Sequence, residues 1–172
     1  MSQTTCLTSK DLTVLEDQLT HMAMGCRVAE QYAGQFQDAQ LKNLAATVAQ
    51  HHRQHYDALF AFLNGCQQGG RPIMNWKENW NQSGQTPLSD QERAFDLLYH
   101  EKALMSNVAS DLLEVSPVGM RQVMQDCFGQ ISADQLEIFN VMQQKGWYPT
   151  KPAQDQDVQT AKQKYGQMRG TL

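Results

Sequence analysis

Residues 41–63 read LKNLAATVAQHHRQHYDALFAFL. Leu41, Leu44, Val48, Leu59 and Leu63 recur at the three- and four-residue steps of one helix face. Residues 120–142, MRQVMQDCFGQISADQLEIFNVM, slide onto that stretch with the apolar phase kept and few identities. Upstream of each lies a second matching pair, VLEDQLTHMA at 14–23 and LLYHEKALMS at 97–106. The chain therefore reads as two related helical hairpins.

Four helices follow, at about 10–34, 38–64, 90–114 and 117–145. The first carries Leu12, Leu15, Leu19, Met22, Cys26 and Ala29 on its stripe. The third carries Phe95, Leu98, Met105, Ala109 and Leu112, and the fourth Met120, Val123, Cys127, Ile131, Ile138 and Val141. Ser89-Asp90-Gln91-Glu92 has the spacing of a capping box. Ser116-Pro117 reads as an N-cap followed by proline at the first helical position. Asn64-Gly65 and Lys145-Gly146 are stop signals, the latter with Pro149 just beyond.

The links within each hairpin are short, which makes antiparallel neighbours. The link between hairpins, residues 65–89, is long and holds Gly69, Gly70, Pro72, Gly84 and Pro87. Two hairpins joined by a long crossover are the connectivity of a ferritin-like bundle. The expected architecture is all-α: a four-helix bundle over residues 1–153 and a polar tail, 154–172, flexible or loosely docked.

Composition bounds the function. A chain of 172 residues with 41% hydrophobic residues can build one core. Its net charge is −4 with no basic block, which argues against nucleic acid. No apolar run approaches a membrane span, and the first ten residues show no secretory h-region. Cys6, Cys26, Cys66 and Cys127 form no CxxC pair and are expected as reduced thiols. The 24 Gln are read as solvated helix surface and the Met residues as core filler. No phosphate-binding glycine loop, GxSxG, HExxH or EF-hand loop is present, so no catalytic residue is assigned.

Polar residues interrupt the apolar stripes. His52 and His55 lie between Val48 and Leu59, within about 40° of the stripe centre. Asp134 lies between Ile131 and Ile138, and Glu101 between Leu98 and Met105, towards one edge. Gln18 is the matching position on the first helix. Ferritin-like two-metal proteins place a Glu and an ExxH pair in each half at such positions. Here the halves read Gln18 with His52-x-x-His55, and Glu101 with Ile131-x-x-Asp134. That set is too poor in carboxylates for a di-iron centre. It admits two readings: one Zn, Mn or Fe ion on His52, His55, Glu101 and Asp134, or a buried cluster pairing His55 with Asp134 and His52 with Glu101. His51, His100 and His21 fall off the stripe centre, and His51 and His100 are expected in solvent.

Phe139-Asn140-Val141-Met142-Gln143-Gln144-Lys145-Gly146-Trp147-Tyr148-Pro149 resembles the C-terminal signature of the spore coat protein F family. Leu97-Leu98-Tyr99-His100-Glu101-Lys102-Ala103-Leu104 is similar to that family's LLxxEKxL stretch. The resemblance covers about residues 88–153. It implies a ferritin-like bundle made in the mother-cell cytoplasm and laid down in the spore coat among other coat proteins. It implies a structural role with no catalysis. Trp76, Trp80, Trp147 and Tyr148 lie outside the regular helices, where aromatics anchor partners or a second copy of the chain.

Overall fold

A computed structural model describes residues 7–65 and 87–169. Most of the expected crossover, with Trp76, Trp80 and Cys66, lies outside these residues, as does Cys6. The described chain is all-α: α1 (Ser9–Gln35), α2 (Ala39–Gly65), α3 (Asp90–Leu112), α4 (Val118–Gln144) and α5 (Asp155–Arg169). Helix α1 packs on α2 and α3, and α4 packs on the same two, so α2 and α3 sit across a diagonal. The α1–α2 turn meets the start of α3, where Asp90 accepts the Gln37 and Asp38 N–H groups. The end of α2 lies by the start of α4, where Phe62 faces Gly119. Helix α2 thus stops at the opposite end of the bundle from where α3 begins, about 40 Å away at 1.5 Å per residue.

The helices start and stop for local reasons. Thr8 and Asp11 form a capping box at α1, and Ser89 and Glu92 form the expected one at α3. Asp38 caps α2 by accepting the Leu41 N–H at 3.0 Å, and Lys145 holds its other oxygen at 2.5 Å. Gly146 adopts φ 70° just past α4, a left-handed stop that glycine accepts without a Cβ penalty.

Three details differ from the sequence expectation. Ser116 does not cap α4; Pro117 occupies the cap, with no side-chain bond. The Ser116 N–H instead donates to Asp11 Oδ1 at 2.8 Å, tying the α3–α4 turn to the start of α1. The buried face of α3 is Ala94, Leu97, Leu98, Glu101, Leu104 and Val108, while Phe95 is 39% exposed and Ala109 is exposed. Glu101 is therefore the centre of that face rather than its edge. The polar tail adds α5, none of whose residues is buried.

The core is two apolar blocks. One gathers Cys26, Ala29, Ala45, Ala49, Leu98 and Ile138 towards the α1–α2 turn. The other gathers Leu15, Met22, Leu59, Leu104 and Ile131 towards the α3–α4 turn. Each of α1 to α4 crosses from one block to the other at a single level. Gly25, His52, Glu101 and Asp134 mark it on α1 to α4.

Asp11 is 1% exposed and closes one end of the bundle. Burial alone would raise its pKa, but hydrogen bonds from Thr8 and from the Ser116 N–H outweigh that and lower it. Its carboxylate therefore stabilises the fold above its unfolded pKa, and that stability fades as acid protonates it. Asp11→Asn at neutral pH should cost about 2 kcal/mol, because it removes charge-assisted bonds. Urea unfolding checks this; an unchanged midpoint would refute the role.

Candidate functional site

The layer between the two apolar blocks concentrates the polar chemistry of the bundle. His52 Nε2 meets Glu101 Oε1 at 2.9 Å, and both side chains are 0% exposed. The bond crosses the bundle axis, from α2 to the diagonal α3. Gly25 makes room for it: a Cβ there would stand 3.1 Å from His52 Cδ2 and from Leu104 Cδ1. A buried carboxylate without such a partner would be strongly penalised.

A second pair lies between α2 and α4. His51 Nδ1 sits 2.9 and 3.0 Å from the two oxygens of Asp134. Gln130 Nε2 donates to Asp134 Oδ1 at 3.1 Å. The imidazole that reaches Asp134 is thus His51, which the sequence placed in solvent, and not His55. One residue along a helix turns the side chain by about 100°. Helix α2 packs on both α1 and α4, so its buried arc reaches His51, whose side chain is 24% exposed. The Gln130–Asp134 spacing of four was the available signal that α4 presents a polar pair there.

Several polar atoms of this region are buried without a protein partner. They are His21 Nδ1, His52 Nδ1, His55 Nε2, His100 Nε2 and Glu101 Oε2. His100, also expected in solvent, is mostly enclosed. Burial lowers the His55 pKa to about 4; nearby His52 adds to the fall, and Asp134 opposes it. Burial lowers His100 as well, with Glu101 opposing and His52 adding.

The ferritin-like scaffold raises the question of metal. A two-metal centre of this fold draws on four carboxylates and two histidines. Helix α1 offers Gly25 at the layer, flanked by Met22 and Cys26, and no carboxylate. Gln18 is seven residues away, about 10 Å along the helix, and its Nε2 donates to Asp111 Oδ2 at 2.5 Å. Glu101 and Asp134 each already face an imidazole. The donor set does not fit a two-metal centre. For the single-ion reading, the structure divides the four named residues into the His52–Glu101 pair, Asp134 with His51, and His55 apart. Among the described residues, no three His, Cys, Asp or Glu side chains are disposed to hold a metal ion. Cys26 and Cys127 are buried free thiols, and burial pushes Cys127 up to about 12.

The aromatics after α4 turn towards their own bundle. Trp147 and Tyr148 are half-buried against the block at the α1–α2 end. Tyr148 lies 5.8 Å from the Phe95 ring and 5.1 Å from Phe139, with Lys102 over its face. Lys145 lies over Trp147. No described helix is long and apolar enough to cross a membrane.

An antiparallel bundle of two hairpins, with α2 and α3 on the diagonal, defines a ferritin-like fold. Two solved structures share it. A Bacillus halodurans protein named as a candidate spore coat protein matches with TM-score 0.67 and 12% identity, over 87% of this chain and 96% of that one. An Anabaena variabilis protein with DJ-1/ThiJ/PfpI-like and ferritin-like domains matches with TM-score 0.65 and 11% identity, over 86% of this chain. The match spans only 41% of that larger protein. At such identities the likeness is one of fold. The sequence itself narrows it: residues 89–151, which hold α3, α4 and the Trp147-Tyr148 turn, match the model of the Coat F domain. No curated protein sequence matches the chain.

Two predictions follow from the layer. Alanine is the better helix former by about 1 kcal/mol, yet Gly25→Ala should lower the melting temperature, because its methyl pushes His52 from Glu101. Gly34→Ala, where a Cβ meets nothing within 4 Å, should not lower it. Equal responses at the two sites would exclude steric control by His52. For His55, the unfolded imidazole binds its proton near 6.5 and the folded one near 4. Between these values the unfolded chain holds more protons, so stability is full above about pH 6.5 and declines as pH falls. His55→Leu should flatten the decline in urea midpoint between pH 7 and 4.5; parallel slopes would count against burial of that imidazole.

Proposed function

We propose that the chain is a structural component of the bacterial spore coat that acts by protein–protein association. The observation that carries this reading is the Coat F domain over residues 89–151. The fold likeness to a candidate spore coat protein adds support at the level of architecture. The polar layer adds a physical argument. Its two carboxylates already face histidines of the same chain, so the bundle's outer faces are what remain for contact. Exposed side chains there include Tyr99 at 73%, Leu136 at 53% and Phe95 at 39%. Partners on this reading are other coat proteins and further copies of the chain. Synthesis is in the mother-cell cytoplasm and deposition is on the spore. The reading assigns no catalytic step.

The test is fractionation of spores from a spore-forming bacterium that expresses the chain with an epitope tag. The tag should appear in the coat extract late in sporulation. Its confinement to the spore core or to vegetative cytoplasm would overturn the assignment.

A further inference from the structure

The face shared by α2 and α4 carries a groove. Gln40, Asn43 and Thr47 wall it from α2, and Glu137 and Asn140 wall it from α4. Leu44 and Val141, the more buried of the lining residues, form its floor. Its volume is about 350 Å³, at the small end of the roughly 300–1,000 Å³ of ligand pockets. Polar contacts between the same two helices close both ends. His51 meets Asp134 at one end, and Lys145 meets Asp38 at the other. From Gln40 to Thr47 the groove runs about 10 Å at 1.5 Å per residue.

The lining selects a chemistry. Gln40, Asn43 and Asn140 each present an amide, which both donates and accepts. Among the described residues none of these three side chains has a hydrogen-bond partner. The Thr47 hydroxyl donates to the Asn43 carbonyl of its own helix and can still accept. Glu137 is the one charged residue of the lining, and it forms no ion pair among the described residues. The carboxylates at the two ends, Asp38 and Asp134, are already held by Lys145 and His51. Glu137 is therefore the group left for an incoming cation. A phosphate or other anion would meet this carboxylate and no lining cation.

An extended peptide offers backbone N–H and C=O groups along both edges at about 3.3 Å per residue. About three of its residues match the length of the groove. The amides of the walls suit that backbone, and Glu137 suits one basic side chain. We propose that the α2–α4 groove binds an extended segment of a partner protein, with a lysine or arginine of that segment paired to Glu137. So short a contact is weak alone, and repetition over many copies in an assembly strengthens it by avidity. The inference gives a partner chemistry to the association role proposed for the chain and rests on it. It is tested on purified protein away from spores, so failure to bind and failure to enter the coat are separate results.

The contact is read by titrating the isotope-labelled full chain and following its backbone amide signals by NMR. The probe is an end-blocked peptide, Gln-Asn-Lys-Asn-Gln, and the control carries Glu in place of Lys. The Lys peptide should give saturable shifts gathered at residues 40–47 and 137–141. The Glu peptide should bind about tenfold more weakly, because attraction becomes repulsion. Glu137→Gln should weaken the Lys peptide about fourfold. Glu137→Lys should reverse the preference, so that the Glu peptide binds the tighter of the two. Both variants should keep the wild-type melting temperature, since Glu137 is exposed. A Lys peptide that gives no saturable shift overturns the proposal. So do shifts centred on another face, or a Glu137→Lys chain that still prefers the Lys peptide.

Discussion

A carboxylate with no exposure, Glu101, sits on the axis of this bundle, and the fold is arranged so that His52 meets it. Removing such a group from water costs several kcal/mol, and only a well-placed partner offsets this. That partner comes from the diagonal helix, so the bond joins the two hairpins rather than neighbours within one. The leucines, methionines and small residues on either side tolerate a slide between helices, because one apolar contact can replace another. The His52–Glu101 bond does not. A slip of one turn, about 5.4 Å, would strand both groups. Losing one partner of such a pair typically costs about 3–5 kcal/mol. The pair is thus better understood as fixing register than as adding stability.

The same layer is where ferritin-like two-metal proteins gather their donors, and here the positions hold other chemistry. Helix α1 contributes Gly25, whose missing Cβ lets the His52 ring approach. Helix α4 contributes Asp134, turned to the outer edge, where it faces His51 and Gln130. One fold therefore carries two different solutions for its central layer, and the side chains, not the topology, decide which is present. The orphaned nitrogens of His52 and His55 are a direct consequence. Among the described residues neither His52 Nδ1 nor His55 Nε2 has a hydrogen-bond partner, and burial lowers the pKa of both His55 and His100.

Most of the fold was legible in the sequence because three stripes are long and cleanly periodic. On α1, five of the six expected stripe residues are buried, and Met120, Cys127, Ile131, Ile138 and Val141 are buried on α4. Helix α3 was read about one residue out of phase, since a carboxylate was taken to mark the edge of an apolar face. Its true centre is that carboxylate. The His52–Glu101 pair was legible as one of two alternatives, because both residues interrupt apolar runs at mid-helix. The His51–Asp134 pair was not. A one-dimensional stripe has a single centre, whereas α2 packs against two neighbours and buries a wider arc. Ser116 was misread for a related reason: its N–H is claimed by Asp11, 105 residues away, and no local pattern carries that. Gln18 was placed at the layer by alignment of the two halves, but α1 faces α3 with Gln18 opposite Asp111.

The two hairpins depend on each other unequally with the rest of the chain. Neither can satisfy the layer alone, since His52 lies on the first and Glu101 on the second. Intramolecular closure and exchange of hairpins between copies would preserve the same bond. The stretch that matches the Coat F domain ends at residue 151, just after Tyr148 packs against Phe95 and Phe139. Helix α5 begins at Asp155, beyond that contact, and contributes nothing to either apolar block. Its sequence is therefore free of the constraints that fix the core.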